Sequence, residues 1–230
     1  HREMLDQVLK IFNIKPELDL NLMKKNQTPS SLTSLILTEM QKIFKKYQPE
    51  IVLVHGDTTT TLATSLAAFY NSLPVGHVEA GLRTHHLKAP FPEELNRQVT
   101  GKLTKLHFAP TNLSKKNLLS EGIDKSSIIV TGNTVIDALY WILRRIDNDK
   151  SREKNLKKIL DANLIFNWRK KKFILITAHR RENFGNSFFQ ICSAIKELAL
   201  KYPDIHYVYP VHLNPNINIP AYETLNNHNN

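Results

Sequence analysis

The chain has one cysteine, Cys192, among its 230 residues. A single thiol excludes an intramolecular disulfide and any multi-cysteine zinc site within this chain. Because Cys192 lies in an apolar stretch with helical spacing, we expect it to be buried and inert. The ten histidines contain no His-Glu-x-x-His spacing, and the adjacent His85 and His86 lack a carboxylate at helical spacing. The sequence therefore predicts no metal site.

Long apolar runs are absent as well. No stretch approaches the roughly 18 consecutive apolar residues that a membrane span requires, and the opening HREMLDQ has no apolar signal core. We therefore expect a cytoplasmic protein that does not associate with membranes. The first residue is His1 rather than methionine. From this we expect the chain to start inside a longer gene product or a degraded copy of one.

Acidic residues are fewer than basic ones, 21 against 31, which gives a formal net charge of +10. Such a surplus suggests nucleic-acid binding, because clustered lysines and arginines neutralise phosphates. The basic residues are instead spread over amphipathic segments, often beside acids, as in Arg152, Glu153 and Lys154. No basic stripe is interleaved with aromatic residues. We expect solvated helix faces and no nucleic-acid partner.

Short apolar strands alternate with amphipathic helices along most of the chain. An apolar run at 51–54 precedes a helix at about 59–70 and a strand at 75–78, and the alternation continues to a helix at 135–145. This βαβ rhythm indicates an α/β protein with a mostly parallel sheet. Residues 147–172 are charged, rich in lysine and less regular. We predict a Rossmann-like domain at residues 1–147, a linker at 148–172 and the start of a second domain at 173–230, which ends in the polar tail ETLNNHNN.

Carboxylates follow two of the apolar strands. Asp57 and Glu79 each come directly after a strand, and Glu93 and Glu94 follow at the next helix start. Ligands of parallel sheets bind beyond the carboxyl ends of the strands, where paired carboxylates can divide general-acid and general-base roles. A structural alternative stays open. Asp57 is also placed to cap the next helix, and Glu93 suits a helix first turn.

Cationic and polar groups follow the later strands. The cluster at 179–182, HRRE, suits a diphosphate, with surface salt bridges as the alternative. Asn133 and His212 also follow strands, where such residues more often satisfy backbone groups than bind substrate.

Seven longer motifs occur in a characteristic order. They are VHGDTTTTLATSLAAFY, VGHVEAGLRT, PFPEELNRQ, HFAPT, VTGNTVIDAL, TAHRREN and YPVHLNP. In order and spacing they resemble the non-hydrolysing UDP-N-acetylglucosamine 2-epimerases of bacteria. The resemblance covers residues 1 to about 215, and the opening HREMLDQVL also fits the family pattern.

The resemblance implies a glycosyltransferase-like fold of two Rossmann-like domains, the second incomplete here, usually assembled as a homodimer. It implies interconversion of UDP-N-acetylglucosamine (UDP-GlcNAc) and UDP-N-acetylmannosamine (UDP-ManNAc) without a redox cofactor. A base removes the C2 proton while UDP leaves from C1, and both add back to 2-acetamidoglucal with C2 inverted. The implied catalytic residues are Asp57, Glu79, Glu93 and His179. The implied substrate-binding residues are His179, Arg180, Asn133 and Arg83. The implied site for a second, activating UDP-GlcNAc comprises Gln27, Glu93, Arg180 and His212.

The sequence departs from the family pattern in several places. Family members begin with a strand and a GTRPE-type loop and carry a later SGGxQEE-type segment, and this chain contains neither. After AGLRT, the residues HHLKA at 85–89 replace the usual GNKYS, and Asn26 stands where activator-binding relatives often have arginine. We therefore expect a truncated copy that folds poorly or lacks turnover by itself.

Three alternatives remain open at this point. A hydrolysing epimerase that releases free sugar, or a retaining glycosyltransferase, would share the architecture. From a different class, the chain could be a noncatalytic remnant that binds a UDP-sugar or a protein partner. Its positive charge tolerates anionic nucleotides without selecting among them.

Overall fold

The computed structural model describes the chain in five stretches: residues 2–24, 27–178, 184–212, 214–226 and 230. The chain divides into two compact units, residues 1–137 and 138–230. Strands and helices alternate through both units, so the predicted α/β class is confirmed. The domain limits at 147 and 172 stay predictions. No helix in the described stretches is both long and apolar enough to cross a lipid bilayer.

Unit 1, residues 1–137, contains most of the regular structure. In chain order its elements are α1 (Arg2–Phe12), α2 (Pro29–Tyr47), β1 (Val52–His55), α3 (Thr59–Tyr70), β2 (Val75–Val78), α4 (Glu93–Leu103), β3 (Leu106–Ala109), α5 (Asn112–Ser120), a 3₁₀ turn (Lys125–Ser127) and β4 (Ile128–Val130). Helix α6 (Thr134–Asp147) begins in this unit and runs past residue 137.

Four parallel strands form the sheet of unit 1, in the order β1-β2-β3-β4. Val54 pairs with His77, and His77 with His107, so these three residues lie in one row across the sheet. Each connection between neighbouring strands contains a helix, as parallel pairing requires. All four carboxyl ends therefore lie at the same edge.

One face of this sheet is packed against helices. Val52 and Val75 are buried with Ala67 and Ala68 of α3 and with Phe44 of α2. The two adjacent alanines have small side chains, which allows α3 to lie close to the strands. Burial of one valine side chain contributes about 1.5 to 3 kcal/mol, so this cluster is a main source of the unit's stability.

Side chains satisfy backbone N–H groups at the start of α2. Thr28 is the N-cap, and its side chain accepts a hydrogen bond from the Ser31 backbone N–H at 3.1 Å. The Ser31 hydroxyl oxygen accepts from the Thr28 N–H at 3.1 Å, which completes a capping box, and Pro29 occupies the first turn. From this capped start the helix runs to Tyr47.

Unit 2, residues 138–230, has a smaller sheet. Its elements are the rest of α6, then α7 (Lys150–Asn163), β5 (Phe173–Leu175), α8 (Asn186–Lys201), β6 (His206–Val208) and α9 (Pro215–Leu225). Strands β5 and β6 are parallel, and Phe188 of α8 packs with Ile217 of α9 in the core. Cys192 is fully buried in the same cluster, as expected, and burial raises the pKa of its thiol.

Two helices of unit 2 differ from the sequence predictions. The stretch expected to be an irregular linker contains α7, because Asp149 caps it by accepting from the Arg152 N–H at 2.9 Å and Glu153 pairs with Lys157 one turn later. The linker was predicted because this stretch lacks a regular apolar pattern, and polar contacts of this kind can support a helix without one. The tail ETLNNHNN is also partly helical, since α9 extends to Leu225.

Candidate active site

A buried arginine joins the two carboxylates that follow β1 and β2. The side chain of Arg97, on α4, is 6% exposed; its Nη2 lies 2.5 Å from Asp57 Oδ2 and 3.3 Å from Glu79 Oε2. Arg97 Nη1 donates a further hydrogen bond, to the backbone carbonyl of Glu79. A planar guanidinium with several donors is suited to such a bridge. The structure therefore brings Asp57 and Glu79 together as a pair.

The backbone around this pair has unusual conformations. Gly56 has φ +73°, and a Cβ atom there would lie 3.3 Å from Glu79 Oε2. Glu79 itself has φ +66°, in the left-handed region that non-glycine residues adopt at a cost. Such conformations cluster at functional sites, where the surrounding structure maintains them. The backbone after β1 and β2 therefore lets the Glu79 carboxylate lie close to Gly56 and to Arg97.

Asp57 does not cap helix α3. The N-cap is Thr58, whose side chain accepts from the Thr61 N–H at 3.3 Å. The backbone carbonyl of Asp57 is fixed by the Asn96 side-chain amide at 2.9 Å. The capping interpretation of Asp57 is therefore wrong. Its carboxylate is 31% exposed, so it contacts Arg97 and remains accessible to a ligand.

The two glutamates at the start of α4 differ in their contacts. Glu94 is buried and accepts from the backbone N–H groups of Thr84 at 3.0 Å and His85 at 3.2 Å, and from the Gln98 amide at 2.7 Å. Burial opposes its charge, but these donors outweigh it and lower the pKa of Glu94. Glu94 therefore organises the loop before α4.

Glu93 is the glutamate left available for ligand chemistry. Its Oε2 is buried and, among the described residues, has no hydrogen-bond partner. Glu93 lies one helical turn before Arg97, and side chains at this spacing share a helix face. Glu93 also lies in the first turn of α4, as the alternative interpretation of the sequence predicts. A first-turn position does not prevent Glu93 from acting as a general acid or base.

Arg83 already has a partner. Its Nε and Nη2 donate to the two carboxylate oxygens of Glu121, at 2.6 and 2.9 Å, and its side chain is fully buried. This bidentate geometry is the strong form of an arginine-carboxylate pair. Substrate binding by Arg83 stays a prediction, and in this structure the guanidinium holds α5 through Glu121.

Asn133 satisfies backbone groups at the start of α6. Its side-chain oxygen accepts from the Val135 N–H at 3.1 Å, and its carbonyl accepts from the Ile136 N–H at 3.0 Å. The adjacent Thr134 hydroxyl lies 3.3 Å from Nε2 of His55, at the end of β1. The role of Asn133 in substrate binding stays a prediction. His55 is a polar residue at this edge that the sequence reasoning did not single out.

Two of the remaining candidates stabilise turns. The Gln27 side chain accepts from the Lys24 N–H at 3.3 Å and donates to the Leu22 carbonyl at 3.1 Å. His212 Nδ1 accepts from the Asn214 N–H at 3.0 Å. Gln27 belongs to unit 1 and His212 to unit 2. Their place in an activator site stays a prediction.

His179 and Arg180 lie outside the described residues, which have a gap at 179–183. Their roles in leaving-group stabilisation, substrate binding and activator binding therefore stay predictions.

Two buried histidines lie in the sheet itself. His77 and His107 are neighbours on β2 and β3, and the pKa of each is lowered to about 4, with burial as the largest cause. His77 Nε2 lies 2.7 Å from the Gly56 carbonyl. Both imidazoles are therefore neutral at neutral pH. His77 supports the backbone at Gly56, next to Asp57.

Known proteins resemble this chain in sequence and in fold. All 230 residues match the family model described as UDP-N-acetylglucosamine 2-epimerase. The chain belongs to the UDP-N-acetylglucosamine 2-epimerase family. UDP-N-acetylglucosamine 2-epimerase of Escherichia coli K12 is 54% identical over 222 residues, and that of Campylobacter jejuni is 53% identical over 222. The chain spans 58% and 57% of their respective lengths, and 96% of its own residues align in each case.

Solved structures of the family show the same fold. The Neisseria meningitidis UDP-GlcNAc 2-epimerase bound to UDP-GlcNAc has a TM-score of 0.93 and 50% identity, covering 100% of this chain and 61% of that one. The Methanocaldococcus jannaschii enzyme in complex with UDP-GlcNAc and UDP has a TM-score of 0.76 and 31% identity, over 94% of this chain and 56% of that one. These likenesses confirm the glycosyltransferase-like α/β fold that the motifs implied.

Proposed function

We propose that unit 1 carries the acid-base site for the reversible C2 epimerisation of UDP-GlcNAc to UDP-ManNAc. The observation that supports this most is the Asp57–Glu79 pair bridged by Arg97 at the carboxyl edge of the sheet. The family to which the chain belongs and the UDP-GlcNAc-bound relatives support the substrate.

The proposed reaction moves a proton and a diphosphate. A carboxylate accepts the proton from C2, the C–H electron pair forms a C1–C2 double bond, and the C1–O bond breaks as UDP leaves. UDP then adds back to 2-acetamidoglucal, and C2 receives a proton on its other face. Inversion therefore needs acid-base groups on both faces of the sugar, for which Asp57, Glu79 and Glu93 are the candidates.

The diphosphate requires positive charge and hydrogen-bond donors as negative charge develops on it. We assign this role to His179 and Arg180, with Arg83 and Asn133 as further substrate contacts. Since the hydrogen leaves and returns as a proton, the reaction needs no redox cofactor.

We also propose the wider setting of this activity. The protein forms a homodimer in the cytoplasm and binds a second UDP-GlcNAc as an activator. Its product, UDP-ManNAc, supplies polysaccharide biosynthesis. The single buried free cysteine is consistent with a reducing compartment.

Product analysis tests the reaction class. These 230 residues would replace the matching part of the Neisseria enzyme, and the hybrid and the chain alone would each be incubated with UDP-GlcNAc. We expect the hybrid to form UDP-ManNAc. Free N-acetylmannosamine with UDP would indicate a hydrolysing epimerase, and turnover only with an added sugar acceptor would indicate a glycosyltransferase. UDP binding by calorimetry without any product would support the noncatalytic alternative.

A further inference from the structure

Most of the net positive charge lies in a short part of unit 2. Residues 150–172 contain nine basic and two acidic residues, so they carry +7 of the chain's formal +10. The other 207 residues together have a net charge of only +3. A local surplus of this size attracts anionic partners.

Helix α7 gathers part of this charge on one face. Its lysines are three or four residues apart, a spacing that places side chains side by side on a helix. One turn further along the same face, Asp161 accepts two hydrogen bonds from Arg169, at 2.5 and 3.0 Å. This ion pair holds the next basic run against the end of that face. We call the combined surface the lysine patch, and it consists of Lys150, Lys154, Lys157, Lys158, Lys170, Lys171 and Lys172.

The acidic residues neutralise little of the lysine patch. Glu153 pairs with Lys150 at 3.4 Å and with Lys157 at 2.5 Å, and Asp161 is taken up by Arg169. Among the described residues no carboxylate pairs with the other lysines, and all of them are exposed. These free lysines are Lys154, Lys158, Lys170, Lys171 and Lys172. Their ammonium groups are available to an anionic surface.

An apolar side chain projects from the loop beside the lysine patch. Ile165 lies in the loop that the Asp161–Arg169 pair closes, and it is 84% exposed. Trp168 of the same loop donates its indole N–H to Asp161 at 2.9 Å, and the Arg169 guanidinium lies 4.4 Å from its ring centre. Lysines together with a tryptophan and an exposed aliphatic side chain are typical of segments that lie at the surface of a membrane.

A nucleic acid fits this surface less well than a lipid surface. It would supply phosphates for the lysines, but it has no apolar layer that could accept Ile165. Proteins that bind single strands offer aromatic rings on which bases stack, whereas one face of the Trp168 ring is covered by Arg169. The combination of charge and apolar exposure therefore favours anionic lipid.

We propose that the lysine patch binds the surface of a membrane rich in anionic lipids. The lysines contact the headgroups, and Ile165 inserts below them. The lack of a long apolar run led us to expect no membrane association, but a surface contact requires no membrane span. This inference rests on residues of unit 2 alone and does not depend on the proposed reaction.

Vesicle sedimentation measures this binding without any turnover. The 230-residue chain would be mixed with vesicles of phosphatidylglycerol and phosphatidylcholine in equal parts, and with vesicles of phosphatidylcholine alone. We expect binding to the mixed vesicles that weakens as salt is added, and at least about tenfold weaker binding to phosphatidylcholine.

A triple variant tests the lysines. Lys154→Gln, Lys158→Gln and Lys171→Gln combined should lower the affinity for mixed vesicles at least about tenfold, because each lysine at an anionic surface contributes about fivefold. The matched control removes the same charge from exposed positions of α2 and should leave the affinity nearly unchanged. It combines Lys42→Gln, Lys45→Gln and Lys46→Gln.

Two further variants test insertion. Ile165→Asn should weaken binding about tenfold without altering the charge, because an apolar side chain is lost from the lipid. Leu113→Asn is its control, since Leu113 is 68% exposed on α5, and it should have no effect. In a Trp141→Phe variant, where Trp168 is the remaining tryptophan, emission should shift to shorter wavelength when mixed vesicles are added.

Four results would overturn the proposal. They are no binding to mixed vesicles, equal binding to phosphatidylcholine alone, equal losses in the two triple variants, or tighter binding to an RNA homopolymer that Ile165→Asn leaves unchanged. The last would identify nucleic acid as the partner. A hybrid without epimerase activity would leave the vesicle result untouched.

Discussion

At the residue scale, Arg97 determines the geometry of the candidate site. One guanidinium nitrogen contacts both Asp57 and Glu79, so their carboxylate positions depend on a single side chain. Arg97→Gln should lower kcat of the hybrid enzyme about 100-fold, because misplacing a catalytic group by about 1 Å has effects of that size. KM should change much less, since the substitution does not remove a proposed contact with the nucleotide.

Two variants make the Arg97 prediction specific. Arg97→Lys should recover part of kcat by restoring the positive charge, although it lacks the planar fork. Lys105→Gln, an exposed cation beyond the end of α4, should behave like the unaltered protein. Equal kcat values for Arg97→Gln and the unaltered enzyme in steady-state assays would contradict a positioning role.

Gly56 permits the close approach of Glu79, and its replacement has a matched control. Gly56→Ala should reduce kcat about tenfold and the free energy of unfolding by about 1 kcal/mol, because its φ is positive and the new Cβ meets Glu79 Oε2. Gly122 has φ +78° and no atom within 4 Å of a built Cβ. Gly122→Ala should therefore destabilise similarly in urea unfolding and leave kcat unchanged. Equal losses of kcat would show that strain alone, rather than contact with Glu79, is responsible.

The sequence predicted part of this site. Asp57 and Glu79 follow apolar strands, and parallel strands bring their carboxyl ends together, so their proximity was predictable. Arg97 and Asn96 were not singled out, because their spacing from Glu93 shows only that they share a helix with it. Which helix face meets the strand ends depends on packing across 18 to 40 residues of chain.

At the element scale, Glu94 holds the loop between β2 and α4. It accepts two backbone N–H groups of that loop, and hydrogen bonds to a charged group contribute about 1.5 to 3 kcal/mol each. In Glu94→Ala, the loop should open more often. We expect trypsin to cleave after Lys88 at least about tenfold faster, as measured by mass spectrometry of timed digests. Glu39→Ala, which removes a half-exposed carboxylate from α2, is the control. Unchanged cleavage in Glu94→Ala would show that other contacts order the loop.

The elements themselves were predictable to different degrees. Helix α3 and strand β2 have the predicted limits, and α3 begins directly after its N-cap, Thr58. Strand β1 begins and ends one residue later than predicted, since its limits follow backbone pairing with β2 rather than the side-chain pattern. Helix α7 was missed because capping and ion pairs, which need no apolar face, support it.

At the scale of the whole molecule, acid should destabilise the fold before most carboxylates are protonated. Burial lowers the pKa of His77 and His107 to about 4, from 6.5. Between those values the unfolded chain binds more protons than the folded one, so stability is fully present above pH 6.5 and falls as the pH drops toward 4. The loss of stability from each histidine is at most about 3.5 kcal/mol, because one pKa unit corresponds to about 1.4 kcal/mol.

Urea unfolding at several pH values between 4 and 7.5 measures this effect. His77→Gln should flatten the pH dependence, whereas His86→Gln, at an exposed position, should leave it unchanged. A free energy of unfolding that is constant from pH 7 to 5 would show that the buried histidines gain protons without opposing the fold.

The central claim is that the carboxylate pair transfers the C2 proton of a UDP-sugar. The most direct measurement is proton NMR of UDP-GlcNAc in D₂O with the hybrid enzyme and with its Asp57→Asn and Glu79→Gln variants. In the hybrid we predict loss of the C2 proton signal together with formation of UDP-ManNAc. In each variant we predict that the rates of both processes fall at least about 100-fold. Exchange at an unchanged rate in both variants, or formation of UDP-ManNAc without exchange at C2, would contradict the account.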